Sequence, residues 1–177
     1  HFSLDPAKKT ILIIGGSQGA LSINQSILAG LDRLAEAGIQ VIWQTGIAFE
    51  STAKQATANQ SSLYVSAFIY EMDLAYAMAD IVISRAGASS VSEICLIGKA
   101  SILVPLPGAA EDHQTENAKS LVSQNAAILV RDSEVKEALI TEALKAIQSD
   151  LSSIEKNSLR LAKPNAAHDI AQFILHT

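Results

Sequence analysis

The stretch Thr10-Ile11-Leu12-Ile13-Ile14-Gly15-Gly16-Ser17-Gln18-Gly19-Ala20 carries an apolar, β-branched run straight into a loop of small and polar residues. An uninterrupted apolar run of this length marks a strand buried on both faces, as in a parallel sheet covered by helices. The pattern recurs along the chain. Residues 40–45 (QVIWQT), 63–68 (LYVSAF), 80–84 (DIVIS), 101–104 (SILV) and 127–130 (AILV) read as further short strands. Helical periods fill 20–37, 48–58, 72–79, 89–97 and 112–125, and two more follow the last strand at 134–148 and 151–161. Pro164 then suits the start of a final helix to His176, while Gly30 marks a weak point in the first helix and Gly38 its end. The spacing predicts an α/β fold: a Rossmann-like, doubly wound, six-stranded parallel sheet in a single domain over residues 1–177.

Composition agrees and excludes several functions. The chain has 177 residues, 49% of them hydrophobic, enough for one well-buried core. Its mean hydropathy of +0.24 and net charge of -5 lie far from the disordered regime. With 13 basic against 18 acidic residues and no Lys/Arg cluster, neither nucleic acid nor an anionic lipid surface is an expected partner. The single Cys95 excludes an internal disulfide, and no signal sequence begins the chain, so a reducing, cytoplasmic setting is expected. No segment approaches the ~20 apolar residues of a membrane span. His1 is preceded by neither Met nor a leader, which reads as a piece of something longer.

In open parallel sheets a ligand lies outside the carboxyl ends of the strands, where the strand order reverses. The loops after strands one, four and five therefore carry the functional expectation. The first, Gly15-Gly16-Ser17-Gln18-Gly19-Ala20, sits between a strand and a helix, so its amides suit a phosphate. It lacks the third-position glycine of a dinucleotide fingerprint, and Trp43-Gln44-Thr45 offers no acid for a ribose, which disfavours NAD. The P-loop lysine is also absent. Its glycines equally serve a tight turn with Ser17 as helix cap, and its match to the G-x-S-x-G elbow of hydrolases is only formal.

The second loop, Ser84-Arg85-Ala86-Gly87-Ala88-Ser89-Ser90, leads into Val91-Ser92-Glu93. Two readings stand here. Ser90 and Glu93 have the spacing of a capping box, and Glu93 is equally well placed to accept the hydroxyls of a ribose whose phosphate sits on the helix amides. In the third loop Gln114 and Asn117 share one helix face. Their amides suit sugar hydroxyls, or they belong to a solvated helix start capped by Asp112. Lone His113 reads as a surface residue. No His/Cys/Asp/Glu cluster has metal-ligand spacing, so neither metal nor cofactor is expected.

Together with Phe68-Ile69-Tyr70-Glu71-Met72 and His113-Gln114-Thr115-Glu116-Asn117-Ala118, these loops resemble, in order and at matching intervals, the MurG family of N-acetylglucosaminyltransferases. The resemblance runs over nearly the whole chain and implies the C-terminal, donor-binding half of a two-domain GT-B enzyme, with the N-terminal acceptor domain absent. It implies inverting transfer of N-acetylglucosamine from UDP to lipid I, giving lipid II in peptidoglycan synthesis, by a parent peripheral on the cytoplasmic face of the bacterial inner membrane.

On matching positions, the resemblance implies that Ser17, Gln18 and Gly19 approach the donor diphosphate. Phe68, Ile69 and Met72 hold the uracil, largely through backbone groups. Arg85, Gly87, Ala88, Ser89, Ser90 and Glu93 hold phosphate and ribose, with Glu93 on the ribose hydroxyls, and Gln114 and Asn117 contact the N-acetylglucosamine. No catalytic base is implied in this half, so the isolated chain is expected to bind UDP compounds weakly and to transfer nothing. The third loop, at Pro107-Gly108-Ala109-Ala110-Glu111, departs from some relatives in length, and Ser89 stands where some relatives carry a bulkier apolar residue. Rival readings are another GT-B donor half, such as the soluble subunit of a split glucosaminyltransferase, and a UDP-sugar epimerase-type domain.

Overall fold

The computed structural model describes residues 1–16, 18–108 and 112–175. In chain order these form β1 (Thr10–Ile14), α1 (Leu21–Glu36), β2 (Gln40–Gln44), α2 (Ile47–Ala56), β3 (Leu63–Ser66), α3 (Met72–Met78) and β4 (Ile81–Ser84). There follow α4 (Ala88–Ile97), β5 (Ala100–Leu103), α5 (His113–Ser123), β6 (Ile128–Leu129), a 3-10 turn at Asp132–Glu134, α6 (Val135–Ile147), α7 (Ser152–Arg160) and α8 (Ala166–Leu175). The predicted α/β class and six-stranded parallel sheet are observed, with strand order β3-β2-β1-β4-β5-β6. The order reverses between β1 and β4, which pair from Ile11 with Ile81 to Ile14 with Ser84.

Strand alternation divides the core into two layers. Ile11 and Ile13 face the helical layer of α1, α2 and α6, together with Val41, Trp43, Ile81 and Ile83. Leu12 and Ile14 face α3, α4 and α5, among Ile42, Val82, Ile94 and Leu121. Ile11, Leu12 and Ile13 are fully buried, and each such side chain contributes about 1.5–3 kcal/mol relative to exposure. Burial on both faces is why these strands read as continuous apolar runs.

Gly30 is a packing site in α1: a Cβ there would lie 2.4 Å from Cγ1 of Ile140 on α6. Cys95 is buried in the second layer, and burial pushes its thiol pKa up.

Two strands are shorter than their apolar runs. β3 ends at Ser66 because the next residues leave the ladder: the Ala67 carbonyl turns to accept the Gly46 amide, and the Ile69 amide goes to a side chain. β6, at the sheet edge, pairs only through Ile128 and Leu129. α8 has no buried residue and exposes Ile170, Phe173 and Ile174. Among the described residues no helix is long and apolar enough to cross a membrane.

Candidate functional site

A cavity of about 620 Å³ opens at the carboxyl ends of β1, β4 and β5, at the reversal of strand order. That volume suits a small-molecule site. Its wall combines Gly15, Gly16, Gln18 and Gly19 after β1 with Leu21, Ser22 and Gln25 of α1. From across the switch point come Arg85, Gly87 and Ser90, with Leu106, Pro107 and Gln114 from the third loop and its helix, and Asp132 from the 3-10 turn. The N-terminal turns of α1 and α4 thus border one space. Helix N-termini present unpaired amides and the positive end of the dipole, so two of them on one cavity favour an anion.

The first loop is shaped by glycine. Gly19 has φ +77, and a Cβ on it would stand 2.1 Å from the Thr45 carbonyl oxygen. Its neighbour across the contact, Gly46 with φ +76, would place a Cβ 2.5 Å from the Gln18 carbonyl oxygen. Two backbone segments therefore touch with no room for side chains, and the loop rests on the turn after β2. Buried Asn24 secures that turn, donating to the Thr45 carbonyl at 2.8 Å while accepting from the Trp43 indole at 2.9 Å.

Arg85 and Asp132 are the only charged side chains among the described residues of the wall. They pair at 2.6 Å, and the guanidinium also donates to the Val104 and Pro105 carbonyls and to the Ser22 hydroxyl. Ser22 in turn donates to Asp132. Partial burial of Asp132 opposes its ionisation, but the hydrogen bonds from Ser22 and Arg85, with the Arg85 charge, outweigh it and hold the carboxyl below its ordinary pKa. Arg85 therefore faces the cavity as a cation already committed to four partners, a fixed positive wall rather than a free arm.

Of the expected site residues, Gln18, Gly19, Arg85, Gly87, Ser90 and Gln114 meet at the cavity. Ser17 lies outside the described residues. Ala88 and Ser89 are exposed in the first turn of α4, beside the cavity lining. Ile69 is buried at 1% exposure and half-buried Met72 packs on the second core layer, so neither lines the cavity. The Ile69 amide donates to Gln44 Oε1, and the Phe68 carbonyl accepts from the Ser66 hydroxyl. Gln114 Oε1 accepts the Leu106 amide at 2.9 Å, leaving its Nε2 group as donor; Asn117 gives its Nδ2 to the Ala86 carbonyl at 3.0 Å, leaving Oδ1 as acceptor.

The capping-box reading of Ser90 and Glu93 is corrected by the geometry. α4 begins at Ala88 with Gly87 as its cap, so Ser90 is already inside the helix and Glu93 cannot reach back to a cap amide. Exposed Glu93 instead accepts the Tyr76 hydroxyl at 3.2 Å. Burial, then the Glu93 charge and hydrogen bond, push the Tyr76 pKa up, so the phenol stays a neutral donor. Asp112 occupies the cap position of α5, but its carboxylate takes the Thr115 hydroxyl rather than a backbone amide. Among the described residues no three His, Cys, Asp or Glu side chains are grouped to hold a metal.

Sequence reasoning missed Asp132, Ser22, Tyr76 and Gln44. Asp132 carried one signal, an acid just beyond the end of a strand on the ligand side. Ser22 and Tyr76 carried none, because both lie on helices whose apolar period explained them.

A profile of the glycosyltransferase family 28 C-terminal domain matches residues 10–173. The chain belongs to this family. The match runs from β1 into α8 and so takes in the loops that line the switch-point cavity. A relative from Phocaeicola vulgatus is 47% identical over 97% of the chain. One from Porphyromonas gingivalis is 48% identical over 94%. Both are named UDP-N-acetylglucosamine--N-acetylmuramyl-(pentapeptide) pyrophosphoryl-undecaprenol N-acetylglucosamine transferase. The chain spans about half the length of these relatives, 47% and 46%. The crystal structure of Acinetobacter baumannii MurG superimposes with a TM-score of 0.84 at 30% identity, covering 96% of this chain and 50% of that one.

Proposed function

We propose that the chain is the donor-binding half of an inverting glycosyltransferase that moves N-acetylglucosamine from UDP to lipid I, forming lipid II. The observation that carries this reading is the convergence of two helix N-termini and the pinned Arg85 on one cavity at the switch point. When the glycosidic bond breaks, negative charge grows on the departing UDP. Preorganised amides and a fixed cation stabilise that charge more than the ground state, without rearrangement at the moment of reaction.

In this reading Ser17, Gln18, Gly19, Gly87 and Ser90 surround the diphosphate. Glu93, held by Tyr76, takes the ribose hydroxyls, and the segment through Ile69 and Met72 supports the uracil. Gln114 offers a donor and Asn117 an acceptor to the sugar hydroxyls, the complementary pair that a hexosamine needs. The acceptor and the base that deprotonates it belong to the N-terminal half carried by the longer relatives, and closure of the halves brings donor to acceptor. The whole protein works at the cytoplasmic face of the inner membrane, where its lipid-linked acceptor is embedded.

Ligand-observed NMR on the chain with UDP-N-acetylglucosamine, UDP-glucose and NAD tests the donor site. Saturation transfer to the uridine and N-acetyl protons, and none to NAD, is expected; transfer to NAD alone would refute the reading. For the whole protein, sugar transfer to a lipid-linked acceptor is expected. Conversion of UDP-N-acetylglucosamine to another UDP-sugar without any acceptor would make it an epimerase instead.

A further inference from the structure

Gln44 ends β2, where a dinucleotide-binding fold would carry an acid for the ribose. Here the side chain is buried at 3% exposure and does not line the cavity. It makes two hydrogen bonds of opposite sense. Nε2 donates to the Gly16 carbonyl at 3.2 Å, and Oε1 accepts the Ile69 amide at 3.0 Å. Gly16 belongs to the loop that lines the cavity, and Ile69 to the segment that leaves the sheet after β3. One rigid planar amide thus spans the two stretches that the proposed function assigns to the phosphates and to the base.

The geometry gives this bridge a directional consequence. In a trans peptide the carbonyl and the N–H point to opposite sides. Turning the Ile69 N–H inward to Gln44 turns the Phe68 carbonyl outward, where the Ser66 hydroxyl meets it. Holding the Gly16 carbonyl likewise fixes the peptide plane at the turn of the first loop, at a glycine with φ +79 and open space around it. That glycine has no side chain to resist rotation, so its carbonyl is held by two hydrogen bonds, one from the Gly19 amide at 3.1 Å within the loop and one from Gln44, which alone ties it to the end of β2. Backbone bonds from Thr45 N to the Ser66 carbonyl and from Gly46 N to the Ala67 carbonyl make the base segment and the end of β2 one unit.

We infer that Gln44 is a positioning residue that couples the base-holding segment to the phosphate-holding loop, so that filling either one raises the affinity of the other. The inference rests on the nucleoside-diphosphate reading of the cavity. It makes the uridine and diphosphate ends of the donor bind cooperatively, with no direct contact between ligand and Gln44.

Uridine and inorganic pyrophosphate are the probes. Each is titrated into the chain alone and in the presence of the other at saturation. In the wild type, pyrophosphate raises uridine affinity about 5-fold or more, and uridine raises pyrophosphate affinity by the same factor, as linkage requires. In Gln44→Met, which keeps length but loses both hydrogen bonds, the factor falls to about 1. A merely structural lesion lowers both affinities and leaves their ratio intact, so an unchanged factor in the folded variant overturns the inference. A second measurement needs no variant. Uridine alone should shift the Gly15 and Gly16 amide resonances of the wild type, and unmoved resonances with the base site filled would also overturn it. Wild-type chain that binds neither UDP nor uridine would remove the functional reading itself, an outcome distinct from binding without coupling.

Discussion

Replacing Asp132 by Asn takes a negative charge out of the cavity wall while keeping the side chain's shape and one acceptor oxygen for Arg85. The carboxylate lies on the wall beside its 2.6 Å partner Arg85. A cavity of this size is roughly 10 Å across, so a bound phosphate sits about 5–8 Å from that carboxylate, where like charges repel by about 0.5–3 kcal/mol at effective dielectrics of about 20–80. Taking about 1 kcal/mol, the Asn variant should bind UDP roughly 5-fold more tightly at low ionic strength. Salt screens such pairs, so the gain should shrink toward nothing in about 1 M salt.

Stability should move the other way. Loss of the charge-assisted hydrogen bonds from Arg85 and Ser22 costs about 1–2 kcal/mol. Because the folded pKa of Asp132 is depressed, its stabilisation is complete above the ordinary carboxylate value of 3.8 and is lost as pH falls through the folded value. The stability gap between wild type and variant should therefore hold from neutral pH down to the ordinary value and close only below it. Calorimetric titration of UDP at two salt concentrations, with urea unfolding across pH, measures both effects. Folded Asn variant that binds UDP more weakly than the wild type would refute the electrostatic account, and would mean that Asp132 acts by aiming Arg85.

Other substitutions separate binding from folding. Glu93→Ala should weaken UDP binding by about 1–3 kcal/mol through lost charge-assisted bonds to the ribose; unchanged affinity by calorimetry would leave Glu93 only as the partner of Tyr76. Ile69→Ala should cost about 2–4 kcal/mol in urea unfolding, because its side chain is core, while UDP affinity of the folded protein changes only modestly. A complete loss of binding with the fold intact would contradict a main-chain role. Gly30→Ala should destabilise by about 1 kcal/mol, since overpacking against Ile140 outweighs a helix-propensity gain of nearly that size. The same change on an Ile140→Ala background should stabilise, and a double-mutant cycle reads the difference.

Much of the fold was legible because doubly buried strands advertise themselves: TILII at residues 10–14 and DIVI at 80–83 have no polar face to confuse their period. Strand ends were less legible. Whether Ala67 and Phe68 continue β3 depends on whether their backbone groups find ladder partners, and that is decided by Gly46 and Gln44 at a distance in sequence. The cavity's loops were visible as glycine and serine runs after strands. The internal ties were not, because Arg85's partnership with Asp132, and Tyr76's with Glu93, join residues whose proximity only the folded sheet creates. The start of α4 is a local case of the same kind. Ser90 and Glu93 fit a capping pattern, yet Gly87 takes the cap and moves the helix start, freeing Glu93 to face outward.

The contact between Gly19 and Gly46 constrains how such a chain can change. Each glycine leaves room for the other's backbone segment, so a methyl group on either forces the same two strands of main chain apart. Once they are apart, a methyl on the other adds little steric damage beyond its own backbone strain. The two positions should therefore behave as one in a mutational library: each single replacement absorbs most of the loss, and the double falls well short of the sum. A sequence drifting one residue at a time meets the full barrier at its first step and gains no compensation at the second. Variation around this cavity is thus channelled away from the glycine seam and into the exposed side chains at its rim.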